Sequence, residues 1–119
     1  MEHLDVVADL VTRLPAPCGC PVAAARPRAA PPELVTVSRE GGRWLDGLRD
    51  RAGVGLYCWA PTEHRAASLA ARAAAAMARL RFRDGYDSVE MESMRSDPDP
   101  DTRGPRWYLS YTIVTHKPM

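Results

Sequence analysis

Val7, Leu10, Val11 and Leu14 recur at i, i+3, i+4 and i+7, the spacing of one helical face. This predicts a helix over residues 1–14, with Asp5 and Asp9 on its other side and Asp9 within reach of Arg13. Pro15 and Pro17 are expected to end it. Residues 15–33 hold six prolines and show no period, so they read as a linker, with room for a short edge strand at Val22–Ala25.

Period-two and β-branched segments follow. "LVTVSR" (34–39) and "VGLYCWA" (54–60) read as strands, with "EGG" (40–42) as a turn and 43–53 as an exposed loop between them. Pro61 closes the second strand, and Thr62 is placed as the N-cap of a helix, with Glu63 in its first turn. That helix spans 62–80, about 28 Å. Ala66, Leu69, Ala70, Ala73, Met77 and Leu80 share one face, and Arg65, Arg72 and Arg79 form a stripe elsewhere. After Asp84-Gly85 come a strand at 88–94, a loop at 95–105 and the strongest strand signal, "RWYLSYTIVTH" (106–116). In it Trp107, Leu109, Tyr111 and Ile113 alternate with Tyr108, Ser110, Thr112 and Val114. The order α-β-β-α-β-β predicts a single α+β domain over 1–119. Its small, mostly antiparallel sheet has four to five strands, with two helices packed on one face.

Composition changes this picture in one respect. Eighteen of the 119 residues are alanine, whereas Val, Leu, Ile and Phe together number only 21. A core this thin gains burial from a partner or from further copies of the chain. The net charge of +1 argues against a dedicated nucleic-acid binder and against disorder of the whole chain. No apolar run has the length of a membrane span, and the acidic N-terminus does not read as a signal peptide. A cytoplasmic site of synthesis and use, or a particle assembled there, is expected.

Candidate chemistry is sparse. Cys18-Gly19-Cys20 has C-x-C spacing with no second pair, and His3, His64 and His116 fall on three separate elements, so neither a metal nor a cofactor site is expected. Cys58 and His64 flank a strand–helix junction, but Cys58 is expected in the core and no orienting third group is evident. No catalytic centre is expected. Surface charge is more suggestive. The Arg65/Arg72/Arg79 stripe and the aspartates Asp97, Asp99 and Asp101 put opposite charges on different elements, a pattern that suits head-to-tail pairing of identical subunits. Arg39, and Trp44 and Arg49 in the 43–53 segment, are further interface candidates. Three aspartates among Pro98, Pro100 and Pro105 predict an extended, projecting loop.

Four features occur in order: an N-terminal helix, a proline-rich link to "ELVTVSREGG", the junction "LYCWAPTEHRAASLAARAAAAM", and "DPDPDTRGPRWYLSYTIVT". Together they resemble the tail terminator proteins of long-tailed actinobacteriophages across nearly the whole chain. The C-G-C loop and the scarcity of large apolar residues depart from that pattern without touching the matching motifs. The resemblance implies a non-enzymatic structural protein of the virion neck, assembled in the host cytoplasm. It implies a ring, typically sixfold, that caps the head-proximal end of the tail tube, halts polymerisation and offers a surface to the head-side connector. The implied partners are the chain itself, the tube protein and the connector, with DNA passing through the lumen. Rival readings are another neck component such as a head-closure or tail-completion protein, a cytoplasmic binding or regulatory module, and a small enzyme using Cys58 or His64.

Overall fold

The computed structural model describes residues 5–116, which form three helices and one five-stranded sheet. In chain order these are α1 (Val6–Arg13), α2 (Pro15–Cys18), β1 (Val22–Ala23), β2 (Leu34–Trp44), β3 (Arg49–Trp59), α3 (Glu63–Ala78), β4 (Tyr86–Ser96) and β5 (Arg106–His116). The spatial order is β1-β2-β3-β5-β4. β1 runs parallel to β2, and every other neighbouring pair is antiparallel. The fold is α+β, with a mixed sheet.

Asp5 caps α1, accepting from the Ala8 N–H at 3.1 Å. The expectation that this helix begins at residue 1 lies, for residues 1–4, outside the described residues. Its buried side is Val6, Leu10 and Leu14, rotated from the predicted face so that Val7 is only partly covered. α1 ends at Arg13, just ahead of Pro15 as expected, and Pro15 then starts a new helical turn. It occupies the first position of α2, where a missing N–H costs nothing, and Gly19 closes that turn at φ 71°. The stretch expected as a linker therefore carries a helical turn and a two-residue strand, shorter than the Val22–Ala25 predicted.

The largest departure lies between β2 and β3. "EGG" is not a turn: β2 bulges between Arg39 and Gly41 and continues to Trp44. Gly41 and Gly42 take φ 126° and 114°, and a Cβ on Gly42 would run into the Arg51 carbonyl of the paired strand. The expected 43–53 loop is the far end of a hairpin, turning at 45–48. Asp46 shapes that turn, accepting from the N–H groups of Leu48 and Arg49 at 2.8 and 2.9 Å. The sequence hides these strands because the last seven residues of β2 are exposed, so no apolar alternation marks them. Their pairing is held by β3, itself paired with β5 along its whole length.

The core lies between one sheet face and the helices. Val35 and Val37 of β2, Val54, Leu56 and Cys58 of β3, and Leu109, Tyr111 and Ile113 of β5 meet α1 and α3 in one cluster. The predicted alternation of β5 holds, and its bounds are those expected. Thr62 caps α3 through the Arg65 N–H at 3.1 Å. Every residue of the predicted α3 face is buried, and so is Ala76. Alanine removes little area from water, at roughly 25 cal/mol per Å², but lets α3 lie close on β3 and β5. The helix leans on the centre of the sheet and leaves the edge strand β4 largely to itself.

Candidate functional site

The cysteines and histidines do not converge. Cys58 is fully buried on the core face of β3, and burial pushes its thiol far above the ordinary range. Cys18 is also buried, and burial, then the nearby Cys20, pushes it up to about 11. Half-buried Cys20 is raised by burial and then by Glu33. Thiols held protonated are poor nucleophiles and poor metal ligands. His64 is exposed in the first turn of α3, and His116 meets Asp87 at 2.8 Å. Among the described residues no group of three His, Cys, Asp or Glu side chains is placed to hold a metal ion.

The arginine stripe meets a partner the sequence did not suggest. Arg65 Nε donates to Glu33 Oε2 at 2.9 Å, and Arg72 Nη2 donates to Glu33 Oε1 at 3.2 Å. Arg72 Nε also donates to the Cys18 carbonyl at 3.0 Å. Two of the three arginines thus fasten the proline-rich segment to α3. Arg79 stays exposed beside a cleft where Arg13 pairs with Asp84 at 2.8 Å. Arg39 forms a two-pronged pair with buried Asp50, at 2.6 and 2.8 Å.

The acidic loop is compact, not extended. The Asp99 N–H donates to the Gly104 carbonyl at 3.0 Å, and the Arg103 N–H donates back to the Asp99 carbonyl at 2.7 Å. The Asp99 carboxylate turns inward, accepting from the Asp101 N–H at 3.0 Å and the Thr102 hydroxyl at 3.1 Å. These bonds, the Asp101 N–H foremost, hold it below the usual carboxylate range. Asp97 pairs with Arg106 at 3.2 Å. Hydrogen bonds and an arginine outweigh the mutual repulsion of the aspartates, and Asp101 alone of the three is exposed.

The sheet face away from α1 and α3 carries an arginine–aromatic array. Arg26 lies 4.3 Å over Trp59, and Arg106 lies 4.0 Å from Tyr57 and 5.0 Å from Trp59. Tyr57 and Tyr108 pair across β3 and β5 with ring centroids 4.9 Å apart, and Arg95 lies 4.8 Å over Tyr108. The Tyr108 hydroxyl bonds Glu40, and burial, then Glu40, pushes it up to about 12. Contacts of this kind contribute about 0.5–1 kcal/mol each at exposed sites. Their legible signal is period two: Tyr57 and Trp59 on β3, Arg106 and Tyr108 on β5.

Apart from Phe82, which is 74% exposed after α3 with Arg81 over its ring, exposed large apolar side chains collect in two places. At the hairpin end Trp44, Leu45 and Leu48 are 48%, 37% and 63% exposed, and Arg49 pairs with Asp46 at 3.2 Å. On β4, which has a neighbour on one side only, Met91 and Met94 are 43% and 36% exposed. Both places present apolar side chains among charges, the anatomy of a contact surface. No protein-family model matches the chain, and no curated protein matches it at a significant level.

Proposed function

We propose that this chain is a structural subunit of a phage neck, a tail terminator. Copies of it form a ring, sixfold in the arrangement the resemblance implies, on the head-proximal end of the tail tube. The ring stops tube polymerisation and offers the head connector its attachment surface, with DNA passing through the lumen. The observation that carries this reading is the β2–β3 hairpin, whose distal half leaves the core and ends in exposed Trp44, Leu45 and Leu48. That end stays partly exposed in a lone domain, and a ring neighbour or a tube subunit would cover it further. The ordered sequence features that resemble tail terminators supply the identity of the assembly. The chemistry asked of the chain is binding, not turnover: one surface accepts the last tube subunit, and the other lacks an equivalent surface.

The test is polymerisation of a tail tube protein with and without this chain, followed by electron microscopy. Tubes capped at one end, with growth arrested there, are expected. Tubes that grow equally from both ends with the chain unbound would overturn the reading.

A further inference from the structure

Two exposed patches on this chain match each other. The hairpin end is basic: Arg43 and Arg51 are register partners on β2 and β3, and both are exposed. Like charges placed directly opposite destabilise a strand pair. The β4 edge is acidic: Glu90 and Glu92 flank Met91, and both are exposed. Among the described residues none of these four side chains holds an intrachain ion pair. Each charged pair borders exposed apolar groups, Leu48 at the hairpin turn and Met91 and Met94 on β4. The two patches do not pair within one chain, where β5 runs between β3 and β4.

We infer that the hairpin end of one copy docks on the β4 edge of a second copy, setting Arg43 and Arg51 against Glu90 and Glu92 and Leu48 against Met94. The occupant is another copy of this chain, because the complementary charge and the complementary apolar surface are both its own. The contact is heterologous: each copy offers a hairpin to one neighbour and a β4 edge to the other, so it propagates until the rotation closes a ring. The bulges of β4, at Tyr86/Ser88 and Met91/Ser93, interrupt the edge. They discourage continuous strand addition and leave side-chain contacts to set the register. This inference rests on the assembly reading above and names the surfaces that reading needs.

Sedimentation velocity on the purified full chain, over a concentration series at low and raised salt, tests it. The wild-type chain should self-associate, less so as salt rises. The double variants Arg43→Glu/Arg51→Glu and Glu90→Arg/Glu92→Arg should each weaken association roughly tenfold or more, because like charges then meet. An equimolar mixture of the two should restore it, since each acidic hairpin then finds a basic edge and each basic hairpin an acidic one. Circular dichroism checks the fold of both. Leu48→Ser, which leaves every charge in place, should also weaken association. A wild-type chain that stays monomeric throughout overturns the inference, and so does a mixture that fails to recover. Association unchanged in both double variants overturns this interface yet leaves a ring built through other surfaces intact. The tube-capping experiment judges that ring separately.

Discussion

Arg72 donates to Glu33 at 3.2 Å across the seam between α3 and the proline-rich segment, and its Nε holds the Cys18 carbonyl at 3.0 Å. One side chain thus fastens α2 and the approach to β2 onto a helix that has few large apolar residues of its own. The guanidinium stem also covers the alanine surface beneath it.

Arg72→Ala should destabilise the chain by about 1–2 kcal/mol, discounted for a half-exposed pair. Arg72→Lys should recover only part of this, because an ammonium cannot reproduce the two-way fork. Urea denaturation of both variants checks the order; an unchanged midpoint in Arg72→Ala would show that the segment docks without it.

Gly42→Ala should cost more than about 1 kcal/mol, because its φ of 114° disfavours a side chain and the new methyl would meet the paired backbone, with Ala52 Cα at 2.8 Å. The loss should concentrate in the hairpin. Amide exchange read by NMR is expected to quicken across 40–53 while α3 stays protected.

Tyr86 is buried and donates to Asp9 Oδ2 at 2.6 Å, and burial, then this bond, raises its phenol above the ordinary range. A group raised on folding contributes stability that is whole below its unfolded pKa, near 10, and is lost as pH climbs from there towards the folded value. Stability should therefore fall in alkali above about pH 10, and Tyr86→Phe should flatten that fall. Asp9→Ala strands a buried hydroxyl and should cost about 1–3 kcal/mol at neutral pH. Thermal melts across the alkaline range test both.

Asp99 behaves with the opposite sign. Its depressed folded pKa gives a contribution that is present above the unfolded aspartate value, near 3.9, and lost as pH falls through the folded value. The 97–104 turn should loosen in acid, and Asp99→Ala should remove that dependence. Equal acid sensitivity in the variant would place the transition elsewhere.

The three thiols should separate by access. In the folded chain a thiol reagent should modify Cys20 first, with Cys18 and Cys58 reacting only in denaturant. Native labelling of Cys58 at the rate of a free thiol would contradict its burial, and any turnover lost on Cys58→Ser would contradict the non-catalytic reading.

The sequence by itself determined those elements whose pattern is their own packing. Strand β5 alternates because one face meets the core, and α3 shows its buried stripe, its Thr62 cap and its stopping region near Leu80. It determined the α+β class for the same reason. Tertiary structure alone decided what non-local partners supply. The distal half of β2 has no apolar alternation, since it lies outside the core, and it is a strand because β3 pairs with it. The fate of the arginine stripe turned on Glu33, and the shape of the acidic loop on Arg106 and on backbone bonds that local repulsion could not foretell. Exposed charges carry no periodic signature of the groups they meet, because nothing in their spacing encodes which distant segment folds beside them.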